Sequence, residues 1–126
     1  MASILVIDDE PKMRDMLRLV LERAGHSVFD APNGRAGAVV FRQNRIDLTI
    51  SDILMPEQEG IETISELKRF APRTKIIAIS GGGRTKNLNF LNIARKLGAD
   101  RTLGKPFRPR EIVDMVDDLL GTTGDR

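Results

Sequence analysis

The sequence predicts an α/β fold in which a five-stranded parallel sheet carries helices on both faces. Short apolar runs rich in β-branched residues alternate with longer segments whose apolar residues recur every three or four positions. The spacing between successive runs leaves room for a crossover helix, which parallel strands require. The 126 residues are enough for one domain, and the chain contains no internal repeat or linker.

The predicted strands are the runs SILVI, HSVFDA, DLTIS, KIIAIS and DRTLG, at residues 3–7, 26–31, 47–51, 75–80 and 100–104. The predicted helices span residues 11–24, 34–43, 61–70, 86–97 and 109–120. Pro11 suits the first turn of a helix and Gly25 suits a helix C-terminus, whereas Gly37 costs its helix about 1 kcal/mol of propensity. We expect one domain over residues 1–121 and a short flexible tail over 122–126.

Charge and composition narrow the classes of function. The 20 basic and 18 acidic residues leave a formal net charge of +2, which is weak support for nucleic-acid binding. The absence of cysteine excludes disulfide and thiolate chemistry and fits a cytoplasmic protein. No apolar run approaches the roughly 20 residues that a membrane-spanning helix needs. His26, the only histidine, is expected to be a solvated strand residue.

Acidic residues follow two of the predicted strands. The stretch ILVIDDE ends in Asp8, Asp9 and Glu10, and Asp52 follows the third strand. Because functional sites of parallel sheets form at the carboxyl ends of the strands, we expect the three aspartates to converge. Three hard oxygen donors suit Mg²⁺, while Glu10 fits a first-turn helix charge. A structural alternative is that Asp9 only caps the helix that begins at Pro11.

Other strand ends add a hydroxyl and a cation to this edge. Ser80 ends the fourth strand and Lys105 follows the fifth. Carboxylates, a metal and a lysine are the groups that phosphoryl transfer to an aspartate nucleophile requires. A bare phosphate would be repelled by the acidic first loop, and the glycine run SGGGRTK lacks the spacing of a phosphate-binding P-loop.

Five segments, in this order and spacing, make the chain resemble the receiver domain of two-component response regulators. They are VIDDE (6–10), APNG (31–34), SDILMPEQEG (51–60), IIAISG (76–81) and LGADRTLGKPF (97–107). The resemblance covers nearly the whole chain and implies a flavodoxin-like (βα)5 fold with strand order 2-1-3-4-5. It also implies that Asp52 is the phosphoacceptor.

The resemblance further implies a Mg²⁺ site and a set of phosphoryl contacts. The metal would be bound by Asp9, Asp52 and the backbone carbonyl of Leu54, with Asp8 helping through a water. Lys105 would contact the phosphoryl oxygens, with a cis peptide bond to Pro106, and the Ser80 hydroxyl would close on them.

Three departures from the family pattern concern signal output. Gln58 replaces a usually apolar residue, Thr102 replaces the usual aromatic switch residue, and the segment from Ser80 to Lys105 is a few residues longer than usual. Leu88 and Leu91 lie off the apolar stripe of the predicted fourth helix. We therefore expect these two leucines to form a partner surface.

The leading interpretation is a stand-alone signalling receiver rather than an enzyme. Its partners would be a sensor histidine kinase or phosphotransfer protein and a downstream protein target, without direct contact to nucleic acid or membrane; a weak homodimer stays open. One alternative is a Mg²⁺-dependent phosphatase with an aspartyl-phosphate intermediate, although Leu54 stands where such enzymes usually carry a second acid. The other is a receiver-like module that is never phosphorylated.

Overall fold

The structure is a computed structural model, and it describes residues 2–53, 59–80, 92 and 94–121. Its strands are β1 (Ser3–Ile7), β2 (Ser27–Ala31), β3 (Leu48–Asp52), β4 (Lys75–Ser80) and β5 (Arg101–Gly104). Its helices include α1 (Pro11–Arg23), α2 (Gly34–Gln43), α3 (Glu59–Phe70) and a C-terminal helix (Pro109–Leu120). Residues 92 and 94–97 are also helical, within the helix predicted over 86–97.

All five strands pair in parallel, in the order β2-β1-β3-β4-β5. This confirms the predicted fold class and strand order. The strand boundaries differ from the predicted ones by at most one residue, while α3 begins two residues earlier than predicted. The order places β1 and β3 side by side at the centre, so the loops that follow these two strands open onto the same edge.

The central strand β1 is buried on both faces. Ile4, Leu5, Val6 and Ile7 are each 0% exposed, and successive side chains point to opposite faces. Leu5 and Ile7 pack in a cluster with residues of α2 and α3, whereas Ile4 and Val6 pack with residues of α1 and the C-terminal helix. Burial on both faces explains why β1 is a continuous apolar run rather than an alternating one.

Backbone geometry or close packing explains why two positions are glycine. Gly25, just beyond α1, has φ of +99°, a left-handed conformation that favours glycine. Gly37 lies where α2 crosses β1, and a Cβ atom there would overlap the side chain of Ile7. The glycine that weakens the helix locally therefore lets α2 approach the sheet closely.

The prediction for His26 is wrong in both respects. The residue lies between the turn at Ala24 and Gly25 and the start of β2, and it is only 7% exposed. Its Nδ1 accepts a hydrogen bond from the backbone N–H of Ala2 at 3.1 Å. Burial lowers the pKa of the imidazole, and this effect outweighs the opposing charge of Asp117.

Candidate functional site

Register between β1 and β3 brings the acidic residues together. Ile7 pairs with Ser51, so the residues that follow this pair, Asp8 just after β1 and Asp52 at the end of β3, reach the carboxyl edge side by side. Carboxylate oxygens of Asp8, Asp9 and Asp52 lie within 4.8 Å of one another. Asp8 is 1% and Asp52 is 5% exposed, whereas Asp9 is exposed. Two buried carboxylates and one solvent-facing carboxylate thus share one pocket.

The ammonium group of Lys105 lies between these buried carboxylates. Its Nζ is 3.0 Å from Oδ2 of Asp52, 3.2 Å from Oδ2 of Asp8 and 3.7 Å from Oε1 of Glu10. Pairing of β4 with β5 directs the lysine there, since its backbone N–H donates to the Ser80 carbonyl at 2.7 Å. The Lys105-Pro106 peptide bond is cis, as predicted.

The pocket shifts the pKa of both an acid and a base. Burial raises the pKa of Asp8, and the charge of Asp52 adds to this effect, while the N–H of Glu10 and the Lys105 ammonium oppose it. Burial by itself would lower the pKa of Lys105, but the carboxylates of Asp52 and Asp8 outweigh it and raise that pKa. The lysine therefore stays charged and contacts the carboxylates of Asp8 and Asp52, while the Asp9 carboxylate lies beside them. The remaining negative charge and the hard oxygen donors fit Mg²⁺.

Local hydrogen bonds hold Asp8 in place. Its Oδ1 accepts from the Glu10 N–H at 2.8 Å, and its carbonyl accepts from Nη1 of Arg14 at 2.8 Å. Glu10, rather than Asp9, is the N-cap residue of α1, so the alternative that Asp9 only caps this helix is wrong. Sequence reasoning missed Arg14 and the contact of Glu10 with Lys105. Glu10 and Arg14 are four positions apart, which places both on one face of the first turn of α1, and this spacing is the signal that could have found them.

Ser80 supplies a buried hydroxyl at the same edge. It ends β4, whose residue Ile79 pairs with Asp52, and it is 1% exposed. Its Oγ has no hydrogen-bond partner among the residues that the structure describes. A buried hydroxyl without a partner costs about 1–3 kcal/mol, so a ligand oxygen placed there would remove that cost.

Comparison with known protein families shows which family the chain belongs to. The family model for the response regulator receiver domain matches residues 4–117. The chain belongs to this family. It is therefore a receiver domain of two-component systems, and its relatives include chemotaxis proteins CheY. The CheY of Halobacterium salinarum is 33% identical over 118 residues, 94% of this chain and 96% of that protein. The CheY of Thermotoga maritima is 34% identical over 115 residues, 90% of this chain and 93% of that protein.

Solved structures agree with this assignment. A receiver domain protein from Clostridium thermocellum superposes with a TM-score of 0.88 at 30% identity, covering 97% of this chain and 96% of that one. TrrA from Thermotoga maritima, solved in complex with Mg²⁺ and BeF, has a TM-score of 0.82 at 31% identity, covering 94% and 99%. Within the described part of this receiver domain, no helix is both long and apolar enough to cross a membrane.

Several predicted positions of this receiver domain lie outside the described residues. They are Leu54, Gln58, Leu88, Leu91, the glycines at 81–83 and the tail at 122–126. Thr102 is described: it lies in β5 opposite Ala78, is half-buried, and its Oγ1 accepts from Nη2 of Arg95 at 3.5 Å. Thr102 is thus a small side chain with one long polar contact.

Proposed function

We propose that this receiver domain accepts a phosphoryl group from the phosphohistidine of a sensor kinase or phosphotransfer protein onto Asp52. It would then signal through a changed protein-binding surface. The observation that carries the proposal is the Lys105 ammonium between Asp52 and Asp8, with the Asp9 carboxylate beside them. The ammonium, together with a cation held by the aspartates, can neutralise the charge of a phosphoryl group that the Asp52 carboxylate attacks.

In the proposed reaction, a carboxylate oxygen of Asp52 forms a bond to phosphorus as the bond between phosphorus and the donor imidazole breaks. The imidazole leaves with the electron pair and the phosphoryl group ends on Asp52. Lys105 donates to a phosphoryl oxygen, and the Ser80 hydroxyl, which lacks a described partner, donates to another. Mg²⁺ held at the aspartate cluster would supply further positive charge at those oxygens.

The carboxylates of Asp8, Asp9 and Asp52 suit Mg²⁺, but two of them already contact Lys105. The ion must therefore bind without displacing the lysine. Asp9 is exposed and Asp8 is already bonded to the Glu10 N–H through Oδ1. We infer that Asp9 and Asp52 bind the ion directly, that Asp8 binds through a water, and that the Leu54 carbonyl completes the protein ligands. Leu54 lies outside the described residues, so its role stays a prediction.

The output would be a contact with another protein. A phosphoryl group on Asp52 would add negative charge and new acceptor oxygens for Ser80 and Lys105. A population shift biased by such new contacts typically carries a coupling of about 1–3 kcal/mol. The partner surface at Leu88 and Leu91 and the cytoplasmic location both stay predictions.

Acetyl phosphate with Mg²⁺ separates this proposal from its alternatives. We expect intact-mass analysis to find one added phosphoryl group, which peptide mapping assigns to Asp52. The Asp52→Asn variant should gain none. Multiple turnover of phosphoesters would instead indicate the phosphatase, and no reaction would indicate an unphosphorylated module.

A further inference from the structure

The opposite edge of the sheet carries a groove of about 590 Å³. It is formed by the residues that precede β3 and β4, together with the C-terminal ends of α2 and α3. The five residues of β3 separate this edge from Asp52 by roughly 16 Å, at about 3.3 Å per residue. Anything bound in the groove would therefore leave the acidic pocket accessible.

The floor of the groove is apolar and includes an exposed aromatic ring. Phe70 is 58% exposed, the largest fraction for a large apolar side chain in the described part of the chain. Its ring packs edge-on against that of Phe41, with centroids 6.0 Å apart and planes at 77°. Ile46 and Ala71 continue the floor into the core beneath α2 and α3. An exposed aromatic continuous with the core is a feature of protein-binding surfaces.

The rim of the groove is basic. Arg42, Arg45 and Arg73 line it and are exposed, and none of its described lining residues is acidic. Arg42 pairs with Glu66 at 3.4 Å, whereas Arg45 and Arg73 have no ion pair with any described residue. Two arginines therefore remain available to carboxylates from outside the molecule.

We propose that this groove docks an acidic segment of a partner protein that inserts a bulky apolar side chain against Phe70. Arginines beside an aromatic ring suit such a segment because carboxylates pair with the guanidinium groups while the apolar side chain covers the ring. A basic segment would be repelled. A second copy of the same groove would oppose arginine to arginine, so charge disfavours a symmetric dimer through this surface. The site lies apart from the proposed phosphorylation chemistry and does not depend on it.

The test uses three fluorescein-labelled peptides of about twelve residues with the unphosphorylated protein. The first carries glutamates around a central Phe-Leu pair, the second replaces the glutamates with lysine, and the third replaces the Phe-Leu pair with serine. We expect fluorescence anisotropy to show binding of the first peptide only, weakened by added salt. Amide shift changes in a ¹⁵N-labelled sample should concentrate at residues 41–46 and 70–74.

Variants assign the binding to the groove. Phe70→Ser should weaken the first peptide about tenfold or more, as expected for a central aromatic contact. Arg45→Glu with Arg73→Glu should reverse the preference towards the lysine peptide. Both arginines are exposed and unpaired among described residues, so this variant should fold even if Phe70→Ser does not. Leu19→Ser is the matched control, since Leu19 is 51% exposed on α1 and should not affect binding.

Five outcomes would overturn the proposal. The first two are equal binding of all three peptides, and shift changes centred on the acidic pocket. The third is peptide affinity that survives the arginine reversal. The fourth is tighter binding to anionic lipid vesicles or to a DNA duplex than to the first peptide, which would mean that the groove serves a polyanion. The fifth is self-association that the arginine reversal abolishes.

Discussion

Two aspartates are buried and paired at the carboxyl edge of the sheet, whereas arginines are exposed at the amino edge. At the carboxyl edge, Asp8 and Asp52 are almost fully buried and both contact the Lys105 ammonium. At the amino edge, Phe70 is exposed and Arg45 and Arg73 face solvent without an ion pair among the described residues. Burial makes an unpaired charge expensive, so the first edge assembles its own partners during folding. The second edge is solvated, and its partners can come from other molecules.

The largest expected effect concerns the cation between the buried carboxylates. Lys105→Met keeps much of the side-chain length but removes the ammonium group that lies between the Asp8 and Asp52 carboxylates. Breaking a fully buried pair costs about 3–5 kcal/mol, and we expect about 2–3 kcal/mol here because the pocket opens to solvent. Urea unfolding without Mg²⁺ measures the loss, and phosphorylation by acetyl phosphate should fall to background.

Lys12→Met is the control for that change, because Lys12 is an exposed lysine near the same end of the molecule. Its free energy of unfolding should stay within about 0.5 kcal/mol of wild type. If Lys105→Met were equally harmless, burial would not be what separates the two edges.

Magnesium should stabilise the carboxyl edge specifically. At a hundredfold excess over its Kd, the ion should add about 2.7 kcal/mol to the free energy of unfolding. Asp9→Asn should remove most of this gain, while the groove variant Arg73→Glu should retain it. Thermal melts with and without Mg²⁺ make the comparison, and an unchanged melting temperature for the wild-type protein would refute the metal site.

The Mg²⁺ effect should also depend on pH in a defined direction. Burial raises the pKa of Asp8 in the folded protein above its value in the unfolded chain. In metal-free protein, the free energy of unfolding should therefore fall as pH rises from the unfolded pKa through the folded pKa. Mg²⁺ favours the ionised form, so its stabilisation should grow over the same interval and shrink as pH falls. Stabilisation that is constant across this interval would argue against Asp8 as part of the site.

Gly37→Ala tests the helix that joins the two edges. The new methyl group would overlap Ile7, the residue before Asp8, and overpacking typically costs about 1–3 kcal/mol. Better helix propensity returns up to about 1 kcal/mol, so we expect a net loss of about 1–2 kcal/mol in urea unfolding. Adding Ile7→Val should recover part of it. A stabilised Gly37→Ala variant would mean that α2 does not need this close approach.

His26 gives the smallest effect and sharpens the contrast at the amino edge. Because its folded pKa is lowered, the unfolded chain binds the proton more readily, so stability should rise with pH from the folded pKa to about 6.5. The slope cannot exceed about 1.4 kcal/mol per pH unit for one proton. His26→Gln, which keeps an acceptor for the Ala2 N–H, should remove this part of the pH dependence. An unchanged slope would mean that His26 is not its source.

Much of this molecule follows from local sequence pattern. The periods of apolar residues predicted all five strands to within one residue and the starts of α1, α2 and the C-terminal helix. Since parallel strands end at a common edge, the pattern also predicted that Asp8, Asp9 and Asp52 converge. These features depend on backbone hydrogen bonding and on which face of each helix or strand is buried. Both are determined by the residue pattern within short segments of the chain.

Tertiary structure decided which side chains touch and which are buried. The reach of Lys105 to both Asp8 and Asp52 joins positions 97 and 53 residues apart along the chain. His26 is buried where it contacts Ala2, 24 positions away along the chain, and the groove beside Phe70 depends on where α2 and α3 end. The sequence around a single apolar residue at a helix end does not distinguish a buried side chain from an exposed one. Only the packing of distant segments removes water from one side chain and leaves it on another, so these features belong to the assembled fold.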